Sequence, residues 1–198
     1  MKSKDWVNRQ KKDIFVNKAK KEGYVSRAAF KIIEIENKYK LIKNAKNILE
    51  LGSAPGGWSQ AIIEFNSKVN VCGFDLLEMK YDHPNFKFYR EDFLKYDYNS
   101  LPYKFDLILS DIAPNTTGHQ STDHLRISSM IDDIIYALDE IANFESSFIF
   151  KIWKGKEEAL IINKLKKKFN KVSYFKPKSS RSESSEIFIV AQKFINSE

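Results

Sequence analysis

Apolar residues in this 198-residue chain cluster in short runs, separated by polar or helix-patterned stretches. The runs at 47–51 (NILEL), 70–74 (NVCGF), 86–89, 105–110 (FDLILS), 147–152 (SFIFKI), 171–175 and 186–191 (EIFIVA) predict strands. Residues 25–40, apolar at Ala28, Phe30, Ile32, Ile33 and Ile35, predict a helix, and so do 57–66, 122–143 and 155–169. Strands alternating with helices argue for an α/β domain with a mostly parallel sheet covered on both faces. The last two runs are joined by KPKSSRSESS, which has no helical pattern, so they are expected to pair antiparallel. With no internal repeat and no dividing linker, one domain over 1–198 is expected.

The first predicted strand ends in a loop, ILELGSAPGGWSQ (48–60), holding three of the seven glycines within six residues. Such a loop between strand and helix presents backbone N–H groups to a nucleotide-like cofactor, and glycine lets the backbone approach it. An ordinary strand–turn–helix corner is the alternative. The spacing is not G-x-G-x-x-G, which counts against a nicotinamide dinucleotide.

In open α/β sheets ligands sit beyond the carboxyl ends of the strands. Asp75 ends the second strand, placed for a ribose diol or simply closing a turn. Asp92 follows the third, placed for an adenine amino group or capping a helix. Asp111 opens DIAPN, a turn stiffened by Pro114, where a carboxylate would lie beside a cofactor's reactive end. Lys151 closes SFIFKIW, where a lysine is costly to bury unless paired or deprotonated; otherwise it reaches out to solvent. Glu186 starts the last strand, and antiparallel pairing would return it to the edge where Lys151 lies. Topology thus gathers Asp111, Lys151 and Glu186 from distant positions.

Charge adds a partner. Residues 1–22 carry eight Lys/Arg against three acids and residues 164–181 eight against none, within a net charge of +7. Two basic segments around an acidic remainder suggest a polyanion-binding face, or two solvated lysine-rich elements. Lysines outnumber arginines 28 to 5, a bias that an AT-rich coding genome would also produce. No apolar stretch approaches the ~18–20 residues of a membrane span. The basic N-terminus lacks the apolar centre of a secretory signal. Cys72, the single cysteine, is expected as a buried small hydrophobe. His83, His119 and His124 are scattered without zinc spacing, so no metal is expected.

The motifs SRAAFKI (26–32), LELGSAPGGWSQ (49–60), FDLL (74–77), LSDIAPNTTG (109–118), FKIWKG (150–155) and KPKSSRSESSEIFIVA (176–191) together resemble the FtsJ/RrmJ family. Those enzymes are S-adenosylmethionine-dependent RNA 2′-O-ribose methyltransferases. The resemblance runs over nearly the whole chain. It implies a Rossmann-like class I methyltransferase fold, with seven strands, helices on both faces and an antiparallel last strand. It also implies a catalytic tetrad of Lys31, Asp111, Lys151 and Glu186. Lys31 alone would read as a solvated helix lysine. The implied cofactor is S-adenosyl-L-methionine, held by Gly52, Ser53, Pro55, Gly56, Gly57, Trp58, Asp75, Leu76, Asp92, Phe93 and Asp111. Trp58 would otherwise be plain core. Glu50 and Ser53 stand where bacterial members often have Asp and Ala.

Within the family, the segments at 111–118 and 179–186 look closest to the branch acting on large-subunit ribosomal RNA, with a uridine as target; the tRNA branch is the alternative. The implied partner is ribosomal RNA, free or within the large subunit. A monomer is expected, in the cytoplasm or in a mitochondrion or other organelle with bacterial-type ribosomes. Lys151 would take the 2′-hydroxyl proton, Lys31 would steer a phosphate or ribose, and residues 1–24 and 164–181 would contact the RNA backbone. The rivals are a nicotinamide-dependent oxidoreductase and a non-catalytic RNA-binding protein on the same fold.

Overall fold

The chain's computed structural model describes residues 13–113, 119–153, 155, 157–181 and 184–195. Residues 1–12 of the basic N-terminal stretch, the run 114–118 with Pro114, and residues 182–183 of the polar connection lie outside them. Seven strands form: β1 Asn47–Leu51, β2 Asn70–Phe74, β3 Phe86–Tyr89, β4 Phe105–Ser110, β5 Ala142–Trp153, β6 Phe169–Phe175 and β7 Glu186–Phe194. Five α-helices are described: α1 Ile14–Glu22, α2 Ala29–Tyr39, α3 Gly57–Phe65, α4 Gln120–Ile141 and α5 Glu158–Lys168. The strands make one sheet in the order β3-β2-β1-β4-β5-β7-β6. It is parallel except for β7, which runs antiparallel to both β5 and β6.

Every strand expected from the apolar runs is present. β5 is longer than its run because it begins at Ala142, through an irregular register against β4 and a left-handed Glu145 (φ 60°). The polar residues of that stretch hide it from a pattern search. Helix α1 is absent from the sequence reading, since its basic residues mask a short apolar side. Its ends are nonetheless well signalled: Asp13 accepts from the N–H groups of Phe15 and Val16, and Gly23 closes it at φ 80°.

Apolar side chains pack on both faces. Phe148, Phe150 and Ile152 of β5 join Ile134 and Leu138 of α4 and Leu165 of α5 on one side. Ile149 joins Ile32 and Ile35 of α2 and Ile62 of α3 on the other. The two-residue strand period therefore sends Lys151 to the α2 side, and β7 behaves alike, with Phe188 on that side and Glu186 two residues before it.

One carboxyl is built into the core. Glu50 of β1 is 1% exposed, and its Oε2 accepts from Ser59 Oγ of α3 at 2.6 Å, tying the strand to the helix that follows the glycine loop. Burial pushes its pKa up to about 8; the Ser59 bond pulls it back partly, while Asp111 and Asp75 add to the rise. The native state then keeps a proton that the unfolded chain loses near 4.5. Stability from this group therefore falls as pH rises between those values, by at most about 1.4 kcal/mol per pH unit. Glu50→Gln, which cannot ionise, should gain stability relative to wild type from pH 5 to pH 8. Urea midpoints that stay parallel across that range would contradict a buried neutral acid.

Candidate active site

Strand order reverses between β1 and β4, and the loops leaving the carboxyl ends of β1 to β4 enclose a cleft of about 410 Å³. Its floor is Gly52 and Ala54 of the glycine loop. Asp75, Leu76 and Leu77 follow β2, Glu91 to Leu94 follow β3, and Asp111 to Ala113 follow β4. Met130 of α4 closes one side. Among the described residues, four carboxylates and no lysine or arginine line this cleft. That donor set suits a cation bearing hydroxyl and amino groups and counts against a pyrophosphate. Leu76, Leu77, Phe93 and Met130 supply apolar surface for a planar base.

The glycines serve the protein's own packing as much as a ligand's approach. Gly52 has φ 78°, and a Cβ there would lie 2.9 Å from the backbone nitrogen of Ile112, where the turn after β4 crosses the loop. Gly56 has φ 108°, and a Cβ would run into Tyr81. Asp75 holds the loop from the other side: Oδ2 accepts from Ala54 N at 2.9 Å and Oδ1 from Leu77 N at 2.9 Å. Asp92 both lines the cleft and caps the turn of 3₁₀ helix at Phe93–Lys95, accepting from Leu94 N at 3.1 Å.

Of the residues expected around a cofactor, Gly52, Asp75, Leu76, Asp92, Phe93 and Asp111 line the cleft. Ser53, Pro55, Gly56, Gly57 and Trp58 do not. Ser53 is buried beside Gly73, and Gly57 lies against Ser26. Trp58 turns inward at the start of α3, packs 5.7 Å from Phe188 and donates its indole N–H to Ala28 O at 2.8 Å. It is a core residue on the α2 side. Met130 escaped sequence reading because nothing fixes the rotation of α4 beforehand.

At the same edge, on the α2 side, Lys31, Asp111, Lys151 and Glu186 meet. Lys151 Nζ lies 2.7 Å from Asp111 Oδ1 and donates to the Asp111 carbonyl at 2.7 Å. Lys31 Nζ lies 3.7 Å from Asp111 Oδ2 and 3.1 Å from Glu186 Oε2. Charges alternate from Glu186 through Lys31 and Asp111 to Lys151. Burial pushes the Asp111 carboxyl up, but the ammonium groups of Lys151 and Lys31 outweigh it and hold the pKa below the usual carboxylate value. Register explains the meeting: Trp153 pairs with Glu186 and Lys151 with Phe188, while Asp111 N is bonded to Leu51 O at 3.0 Å at the end of β1. Lys31 reaches in from α2 across the Phe188 ring, 5.6 Å from its centre.

The model of the FtsJ-like methyltransferase family matches residues 24–194. The chain belongs to this family. As an FtsJ-like methyltransferase it is an S-adenosylmethionine-dependent enzyme, and the acidic, partly apolar cleft fits that cofactor. It is 42% identical to the ribosomal RNA large subunit methyltransferase E of Caulobacter sp. (strain K31), over 96% of this chain and 85% of that protein. It is 38% identical to the protein of that name in Rickettsia bellii, over 96% and 88%. A Plasmodium falciparum protein solved as a ribosomal RNA methyltransferase shares the fold with a TM-score of 0.75 at 32% identity, covering 86% of this chain and 98% of that one.

The basic run 164–181 is divided between two places in the fold. Asp13 at the start of α1 pairs with Arg27 and lies 3.4 Å from Arg181, and Arg27 also donates to Ser179 O. Glu34 of α2 accepts from Lys178 N and Ser179 N at 2.6 and 2.8 Å, and Lys176 Nζ donates to the carbonyls of Ser184 and Glu186 at 2.6 and 2.7 Å. Residues 176–181 therefore border the tetrad. Residues 164–168 do not: β6 carries the chain across the sheet, and Lys164 and Lys168 pair with Asp132 and Asp139 of α4.

Titration should show S-adenosylhomocysteine binding to this FtsJ-like methyltransferase while NADH does not. Asp75→Ala should weaken that binding on the order of ten-fold or more through loss of a charged acceptor and of the loop's anchor. Unchanged affinity in the variant would remove Asp75 from the cofactor site.

Proposed function

We propose that the protein transfers a methyl group from S-adenosylmethionine to a ribose 2′-hydroxyl of RNA, at a uridine of large-subunit ribosomal RNA, and acts as a cytoplasmic monomer. The observation that carries this reading is the alternating Lys31, Asp111, Lys151 and Glu186 cluster, which adjoins the cofactor cleft through Asp111. The names of the relatives support ribosomal RNA as the substrate class. No helix among the described residues is long and apolar enough to cross a membrane.

When bound, S-adenosylmethionine supplies an electrophilic methyl on a sulfonium. Gly52 and Ala54 would bound its cleft with backbone, Asp75 would take the ribose diol and Asp92 the adenine amino group. Asp111, its charge held by two lysines, would face the reactive end. A 2′-hydroxyl is a poor nucleophile, so it has to be aligned and relieved of its proton as it attacks. Lys151 is the group placed to accept that proton, because Asp111 anchors its Nζ from both the carboxylate and the main chain; the ammonium that this pairing favours has to give up its own proton before it can act as the base. Lys31, bridging Asp111 and Glu186, positions the incoming ribose or its phosphate.

Lys151→Ala should abolish methyl transfer to RNA while S-adenosylhomocysteine affinity stays within a few-fold; equal loss of both would make Lys151 a structural residue. RNA affinity should fall steeply with salt. Lys178→Ala should lower the log–log salt slope by roughly 0.7–0.9, because Lys178 is exposed beside the tetrad. Lys164→Ala, on the far side and paired, should leave the slope alone. The reverse pattern would place the RNA elsewhere.

A further inference from the structure

We propose that Trp153 is a stacking platform for a base of the RNA substrate, held in position by His124. This rests on the RNA methyltransferase reading and assigns how that site grips its nucleotide.

Trp153 is the last residue of β5 and the cross-strand partner of Glu186. Directly opposed residues on antiparallel strands send their side chains to the same face. Two residues along β5 is Lys151, about 7 Å away along the strand, the scale of one nucleotide, and at the strand's end the ring meets His124 of α4. An indole is therefore placed next to the groups proposed to receive the ribose. It is only half-buried, unlike Trp58, which is enclosed in the core with its N–H satisfied.

The ring is also braced. His124 of α4 packs against it, with ring centres 5.6 Å apart and planes tilted by 49°. The backbone then passes across the imidazole at Gly155, where a Cβ would sit 2.5 Å from His124 Nδ1. A glycine there lets chain and imidazole lie together, and the imidazole fixes the indole from one side. Aromatic rings beside an RNA site take unstacked bases on their faces, and such stacking is tolerant of base identity. A nucleotide whose 2′-hydroxyl is presented to Lys151 has to leave its helical stack, and Trp153 offers the replacement surface.

The test is methyl transfer to purified large ribosomal subunits, and to their free RNA, by wild type, Trp153→Ala, Trp153→Phe and His124→Ala. Trp153→Ala should raise KM for RNA on the order of ten-fold, with S-adenosylhomocysteine affinity unchanged. Trp153→Phe should recover most of the loss, and His124→Ala should show a smaller rise. The salt slope of RNA binding should not move, since stacking releases no counterions. Active wild type with an unchanged KM in Trp153→Ala overturns this inference alone. A fall in kcat at constant KM, or joint loss of cofactor binding, also overturns it and makes the ring a packing residue. A wild-type protein that methylates no RNA overturns both this inference and the reading beneath it.

Discussion

The site is organised by the Asp111 carboxylate, shared between two lysines from opposite ends of the chain. Its backbone nitrogen is bonded to the end of β1, its carbonyl and one oxygen take Lys151, and its other oxygen faces Lys31. Without Asp111, the Lys151 ammonium would lose its carboxylate at a buried edge and Lys31 would keep Glu186 alone, a costly arrangement. The same residue forms a wall of the acidic cleft. Anything that shifts it disturbs the cleft wall and the lysine pair together.

Asp111 also stands at a boundary of charge. On its cleft side lie Asp75, Glu91 and Asp92, an environment matched to a cationic cofactor. On its α2 side lie Lys31, Lys151, Arg27 and the 176–181 loop, matched to a polyanion. The sheet imposes this division. Parallel strands β1 to β4 send their loops to one edge, and the antiparallel return of β7 brings Glu186 to that same edge.

Much of this was legible beforehand because strand-end positions follow from topology. Asp111, Lys151 and Glu186 each begin or end an apolar run, so reading the sheet was enough to bring them together. Lys31 was not legible from the residues, since a lysine in a helix looks the same whether it meets solvent or a carboxylate; only family resemblance singled it out. Trp58 was misplaced because its neighbours in sequence line the ligand loop while the first turn of α3 rotates it into the core. The run 164–181 looked like one basic patch, yet β6 carries its two ends to opposite edges of the sheet. Charge composition is blind to that crossing. Of the glycine loop expected to hold a cofactor, Gly52 and Ala54 line the cleft, and Gly52 and Gly56 are required by Ile112 and Tyr81 of the protein itself.

The measurement that bears most directly on the account is the chemical position of the transferred methyl. Large ribosomal subunits from cells lacking the protein, incubated with purified enzyme and labelled S-adenosylmethionine, can be digested to nucleosides and resolved by mass spectrometry. The account predicts label on the ribose 2′-oxygen of a single uridine in large-subunit RNA. Label on a base, or on protein alone, would contradict it.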